Sequence, residues 1–160
     1  MKAEATHQPG VREQRAMSSL ERAIEIAAEA HSGQRDKAGA PYITHPLRVA
    51  LGFIRSGDEK RAIVAVLHDV LEDSDITADD LRREGFSDPI VEAVLALTRP
   101  DDEDYRAFVK RAGANEMARP VKIADLKDNL DRTRLAKLPD DERKKLLAKY
   151  EGALDILDAR

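Results

Sequence analysis

Ala62-Ile63-Val64-Ala65-Val66-Leu67-His68-Asp69-Val70-Leu71-Glu72-Asp73 is the stretch on which the fold of this chain turns. An unbroken apolar run leads straight into an imidazole and three carboxylates. Such a run belongs inside a core, so His68, Asp69, Glu72 and Asp73 are carried to the core's edge. Taking a polar group out of water without a partner costs roughly 2–7 kcal/mol, and a charged one costs more. Something must compensate these groups, and a divalent cation is the simplest candidate. Residues four apart share a helix face, which stacks His68 over Glu72 and Asp69 over Asp73. The helix that carries them is expected to run from Glu59, capped by Asp58, to about Glu72.

Outward from this segment the chain reads as about eight helices joined by short breaks, with no strand-like alternation and no internal repeat. Ser18 with Glu21 makes a capping box, after which Leu20, Ala23, Ile24, Ala27, Ala28 and His31 recur at helical spacing up to Gly33. Gln34 to Thr44 has loop composition, with Gly39 and Pro41. His45-Pro46 opens a second helix that ends at Ser56-Gly57. Thr77 with Asp80 caps a short helix through Arg83, and Ser87-Asp88-Pro89 starts another. Tyr105, Phe108 and Val109 mark a helix stopped by Gly113-Ala114-Asn115. A seventh spans Met117 to about Leu135 with Pro120 near its start, and the last runs from about Asp140 to Asp158. The expected fold class is all-α. Residues 1–17 lack periodicity and read as a flexible N-terminal tail, leaving 18–160 as a single domain.

Composition narrows the function. A chain of 160 residues, 42% hydrophobic and 36% charged, can build one core and is not disordered. A net charge of −4 argues against a nucleic-acid partner, which would call for a basic stripe. It leaves room for a local basic pocket around an anionic small molecule. Without cysteine there is no disulfide, thiolate nucleophile or zinc–thiolate site, so any metal is held by histidines and carboxylates. No apolar run is long enough to span a bilayer and the N-terminus has no apolar leader core, so the expectation is a cytoplasmic protein without a membrane partner.

His31 reads as a packed residue and His7 lies in the tail. His45, at a helix start, gains nothing from the helix dipole as a neutral imidazole, so a metal or phosphate nearby accounts for it better. Asp125 and Asn129, four apart among apolar neighbours, share a face of the seventh helix, although that helix alone is equally an ordinary amphipathic one. Together His45, His68, Asp69 and Asp125 supply two imidazoles and two carboxylates from three helices. This set suits Mn²⁺, Fe²⁺ or Mg²⁺ with open positions better than a closed structural zinc site. Glu72 and Asp73 stand one turn beyond, placed to orient a water and pass protons. Lys37, Arg35, Lys122, Lys127 and Arg134 are the cations available to an anionic substrate, with Lys127 and Arg134 reading as a solvated helix face.

Five segments in this order carry a family likeness: Ala30-His31-Ser32-Gly33-Gln34, Gly39-Ala40-Pro41-Tyr42-Ile43-Thr44-His45-Pro46, Leu67 to Thr77, Ala96-Leu97-Thr98, and Val121-Lys122-Ile123-Ala124-Asp125 with Asn129. Over roughly Leu20 to Leu135 the chain resembles the HD-domain metal-dependent phosphohydrolases. Within them it is similar to the hydrolase domain of the RelA/SpoT alarmone enzymes and to the stand-alone small alarmone hydrolases. The resemblance implies Mn²⁺ on His45, His68, Asp69 and Asp125, with catalysis by Glu72 and Asp73. It also implies that the 3′-pyrophosphate of (p)ppGpp is hydrolysed to GDP or GTP and pyrophosphate, with Lys37, Tyr42, Asn129 and Arg35 on the substrate. Two departures stand out. Asp36-Lys37 occupies the place of an Arg-Lys pair, setting an acidic residue against a pyrophosphate. After Asp125 the chain reads Leu-Lys-Asp-Asn-Leu-Asp-Arg-Thr-Arg in place of an Arg-Leu-His-Asn-Met-Arg-Thr type of run. The alternatives are a phosphatase acting on another nucleotide such as NADPH, and a nucleotide-binding module without turnover.

Overall fold

A computed structural model of the chain describes residues 19–159, which fold into helices without a named strand. The segments are α1 Leu20–Ala30, α2 Thr44–Ser56, α3 Glu59–Leu67, α4 Val70–Asp73, α5 Ala78–Arg83, α6 Asp88–Ala96, α7 Tyr105–Ala114, α8 Ala118–Asn129, α9 Arg132–Leu135 and α10 Asp140–Ile156. This is the all-α class expected. The tail expected over residues 1–17 lies outside the described residues, as does Ser18. The cap of α1 is instead Ser19, whose hydroxyl accepts from the Arg22 N–H at 3.1 Å. The Asp58 cap and the Thr77/Asp80 capping box form as the sequence predicts.

The apolar run Ala62–Leu67 makes α3 the centre of the molecule. None of its six residues is more than 2% exposed, because α2, α1, α6 and α8 pack around it. A helix apolar on every side has no solvent face to turn outward, so surrounding it is the arrangement that removes all of that surface from water. The ends of α2, α3 and α8 are thereby drawn to one place.

Two helices expected to be continuous are broken. The one predicted from Glu59 to Glu72 stops at Leu67 and resumes at Val70. The His68 side chain causes the interruption: its Nδ1 lies 2.6 Å from the Ala65 carbonyl, the acceptor that Asp69 N–H would use in a regular helix. The expected stacking of His68 over Glu72 is therefore replaced by a tight turn that swings Asp69 toward His68. The helix predicted from Met117 to Leu135 ends at Asn129, since Asp131 caps a new turn by accepting from Arg134 N–H at 3.0 Å. Pro120 sits in the first turn of α8, where its missing N–H leaves no gap. α7 ends at Ala114 with Asn115 as its C-cap, within the Gly113-Ala114-Asn115 stop that the sequence predicts; Gly113 is still helical, and a Cβ there would meet Leu157 Cδ2 at 2.5 Å.

Because α3 is enclosed on every side, Ile63→Ala is expected to destabilise the protein by about 2–5 kcal/mol. Urea unfolding followed by circular dichroism measures this, and an unchanged midpoint would contradict the central position of α3.

Candidate metal centre and adjoining cleft

His45 projects from the first turn of α2, His68 and Asp69 from the turn between α3 and α4, and Asp125 from the third turn of α8. The structure brings all four together. His45 Nε2 lies 3.0 Å from Asp125 Oδ1 and 3.8 Å from Asp69 Oδ2. His68 Nε2 lies 3.0 Å from Asp69 Oδ2 and 3.5 Å from Asp125 Oδ1. The ligand atoms of His45, His68 and Asp69 all fall within 4.8 Å of one another.

The donors fit a divalent cation. His68 Nδ1 donates to the Ala65 carbonyl, so its Nε2 is the lone-pair side of a neutral ring, and that atom is buried without a hydrogen-bond partner. A lone pair aimed at two carboxylates is repulsive until positive charge sits between them. Electrostatics in the protein alone carry the same demand. Burial works to lower the His68 pKa, but Asp69 and Asp125 outweigh it and hold the ring well above its ordinary range. Burial would raise Asp69, yet His68 beside it brings the carboxyl down to about 2. The remaining oxygens are supported by neighbours. Tyr42 donates its hydroxyl to Asp69 Oδ2, Lys122 Nζ donates to Asp125 Oδ2 at 2.8 Å, and Asn129 Nδ2 donates to Asp125 Oδ1 at 3.1 Å. Lys122 is 7% exposed, and its ammonium lies 4.9 Å from the centroid of the Phe108 ring.

The centre opens into a cleft of about 360 Å³. Arg35, Lys37, Tyr42 and Asn129, the residues expected on the substrate, all lie in its wall, as does Glu72. Burial pushes the Glu72 carboxyl up, and its Oε1 accepts the Arg99 N–H at 2.5 Å. Asp73 lies apart, in a shallow depression beside Glu72, where it accepts from Gln34 Nε2 at 3.1 Å. Gln34 is in turn 2.8 Å from Nδ1 of His31, which is buried as a packed residue. Arg35 Nη1 donates to the Gly39 carbonyl at 3.2 Å, and Lys37 is 61% exposed with its amine 3.7 Å from Glu142. Asp36, the acidic departure, also lies in the cleft wall, where its Oδ1 accepts the N–H groups of Ala38 and Ala40, each at 2.9 Å.

Other residues of the cleft wall were either not singled out from sequence or read as solvated. Lys149 of α10 lies 4.5 Å from the Tyr105 ring centroid and makes no ion pair among the described residues. Burial, then Arg99, Lys122 and Lys37, lower its pKa. Nothing in a lysine-rich amphipathic helix marks one lysine as facing a cleft, so no signal for it existed. Arg134, expected on a solvated face, is instead held in the wall by Asp128 and Asp131, because the break before α9 folds it back. Arg48 had a readable cue, one helical turn after His45.

Comparison with known proteins agrees with this geometry. The HD domain family model matches residues 23–137, and the chain belongs to that family. HD domains bind divalent metals, as the His/Asp cluster here would require. A guanosine-3′,5′-bis(diphosphate) 3′-pyrophosphohydrolase of Aquifex aeolicus is 34% identical over 120 residues, covering 69% of this chain and 17% of the relative. Its counterpart by name in Vibrio cholerae is 32% identical over 141 residues, covering 80% and 20%. A GTP pyrophosphokinase of Streptomyces coelicolor is 32% identical over 138 residues, covering 80% and 16%. The chain therefore spans about a fifth or less of the length of these curated relatives. A solved structure described as a metazoan ortholog of SpoT that hydrolyzes ppGpp superposes with a TM-score of 0.72 at 22% identity, covering 96% of this chain and 88% of that one. It has the same fold.

If these donors hold a divalent cation, Mn²⁺ at 100 times its Kd adds about 2.7 kcal/mol of stability. A rise in melting temperature with Mn²⁺, reversed by chelator and missing in His68→Ala, is the expected result. Wild-type protein that melts identically with and without Mn²⁺ would exclude the centre.

Proposed function

We propose that the chain is a manganese-dependent phosphohydrolase that releases pyrophosphate from the 3′ position of (p)ppGpp, leaving GDP or GTP. The observation that carries this reading is a four-donor centre opening directly onto a cleft that combines Glu72 with unspent cations. The names of the curated relatives support the substrate class. A divalent cation on His45, His68, Asp69 and Asp125 supplies a Lewis acid for a phosphoryl oxygen and lowers the pKa of water.

The chain's own residues do the rest. Glu72 Oε1 is tied to the Arg99 N–H, which leaves Oε2 to take the proton of the attacking water. Burial, joined by the charges of Asp69 and Asp73, raises the Glu72 pKa toward that of a working general base. Asp73, steadied by Gln34 outside the cleft, acts on Glu72 through its charge and helps keep that pKa up, and Glu72 itself returns the proton to the departing 3′ oxygen. Water adds to phosphorus, the bond from phosphorus to the 3′ oxygen breaks, and pyrophosphate leaves. Lys37, Lys149 and Arg99 offer positive charge to the phosphates, while Tyr42 and Asn129 hold Asp69 and Asp125 and border the sugar. Asp36 in place of an arginine is the one feature that favours a second reading, a phosphatase acting on another nucleotide such as NADPH. Its engagement with two backbone N–H groups weakens that objection to a pyrophosphate.

The deciding experiment is pyrophosphate release from ppGpp by Mn²⁺-loaded protein, resolved by anion exchange, with Asp69→Asn in parallel. Release that vanishes in the variant is expected; inert ppGpp together with phosphate released from NADPH would establish the second reading. A general base must be deprotonated, so kcat should fall as pH drops through the raised pKa of Glu72. Glu72→Gln should lose most of the rate and its acid limb, and a variant that keeps both would remove Glu72 from proton transfer.

A further inference from the structure

The chemistry above gives Asp128 no role, yet three side chains, His45, Arg48 and Arg134, converge on this carboxylate. Its Oδ2 lies 2.7 Å from His45 Nδ1 and 3.0 Å from Arg48 Nη2, and its Oδ1 lies 2.9 Å from Arg48 Nε. Arg134 Nη2 is 3.1 Å from the same Oδ2, and the Asp128 side chain is 14% exposed. Arg134 also donates to the Asp128 carbonyl, so it grips this residue through both side chain and backbone. An ionised carboxylate accepts hydrogen bonds and donates none. At 2.7 Å from Asp128, His45 Nδ1 must therefore carry the proton.

The consequence falls on the opposite side of the ring. With the proton on Nδ1, the lone pair of a neutral His45 is on Nε2, which faces Asp125 at 3.0 Å and Asp69 at 3.8 Å. Were the proton on Nε2, it would be spent on Asp125 and the ring would have nothing to offer a cation. His68 meets the same requirement through a backbone carbonyl, Ala65, which no side-chain replacement can remove. His45 depends on a side chain. The two guanidiniums keep that side chain ionised and aimed, and the break between α8 and α9 is what returns Arg134 to it.

We infer that Asp128 is a positioning residue for the metal centre: it fixes the tautomer and ring orientation of His45, with Arg48 and Arg134 as its anchors. The inference rests on the metal-centre reading of the same site, and Asp128 itself touches neither cation nor substrate. An outer partner of this kind is worth about 10–100-fold in metal affinity.

The test measures Mn²⁺ affinity by the electron paramagnetic resonance of free Mn²⁺, for wild type, Asp128→Asn and Asp128→Ala, with folding followed by circular dichroism. Folded variants that bind Mn²⁺ about 10–100-fold more weakly than wild type are expected; folded variants with wild-type affinity overturn the inference. Wild type that binds no Mn²⁺ overturns it by removing the centre on which it rests, a result distinct from unaltered variants. The tautomer is read separately on the unaltered protein, loaded with diamagnetic Zn²⁺, in a long-range ¹⁵N–¹H spectrum. A proton on His45 Nδ1 is expected there, and an Nδ1 without one overturns the assignment whether or not the variants fold.

Discussion

Two carboxylates, Asp69 and Asp125, are held against two imidazoles at the end of the most buried helix among the described residues. Such a cluster is costly to build, since each charge loses its water and Coulomb attraction repays the loss only when geometry is good and every remaining lone pair is satisfied. The surroundings meet that condition: Tyr42, Lys122 and Asn129 each donate to one of the two carboxylates, and the Ala65 carbonyl and Asp128 each orient one of the two rings. Only the inward-facing atoms are left for a cation. The helices that meet here are therefore tied as much by this polar knot as by the apolar packing behind it.

The two helix breaks belong to the same construction. A regular helix from Glu59 through Asp73 would set His68 and Asp69 at successive positions about 100° apart around the axis. The turn that interrupts it lets the two converge, with Nε2 and Oδ2 at 3.0 Å. In the second case, residues six apart on a continuous helix point in different directions, whereas the break after Asn129 returns Arg134 to Asp128. In both places a short polar side chain competes with the backbone for a hydrogen bond, His68 for a carbonyl and Asp131 for an N–H. Helix regularity is given up where the site needs convergence.

Charge in the cleft is divided by function. Arg48 is paired with Asp128, Arg134 with Asp128 and Asp131, and Lys122 with Asp125, so they serve the centre. Lys149 makes no ion pair among the described residues, and Lys37 is largely exposed with only a loose partner in Glu142. This separation explains how a chain with a net charge of −4 can present a pocket to a polyanion. It also places Asp36 in context, as a cleft-wall carboxylate whose Oδ1 is taken up by the loop it shapes.

Sequence alone determined the helical class, most of the helix starts, the enclosed position of α3 and the membership of His45, His68, Asp69 and Asp125 in one site. Those features are local or depend on a strong apolar pattern: caps such as Asp58 and Thr77 act within one turn, and a run like Ala62–Leu67 has no stable place except a core. Tertiary structure alone decided where two helices break, that Asp73 lies apart from the cleft, that Lys149 faces it, and that Asp128 reaches His45. Each of these depends on the partner a side chain meets far along the chain or on a contest between side chain and backbone, as Asp128 to His45 spans 83 positions and Gln34 to Asp73 spans 39. Helical periodicity records which face is apolar and carries no information about which polar groups other helices will bring to it.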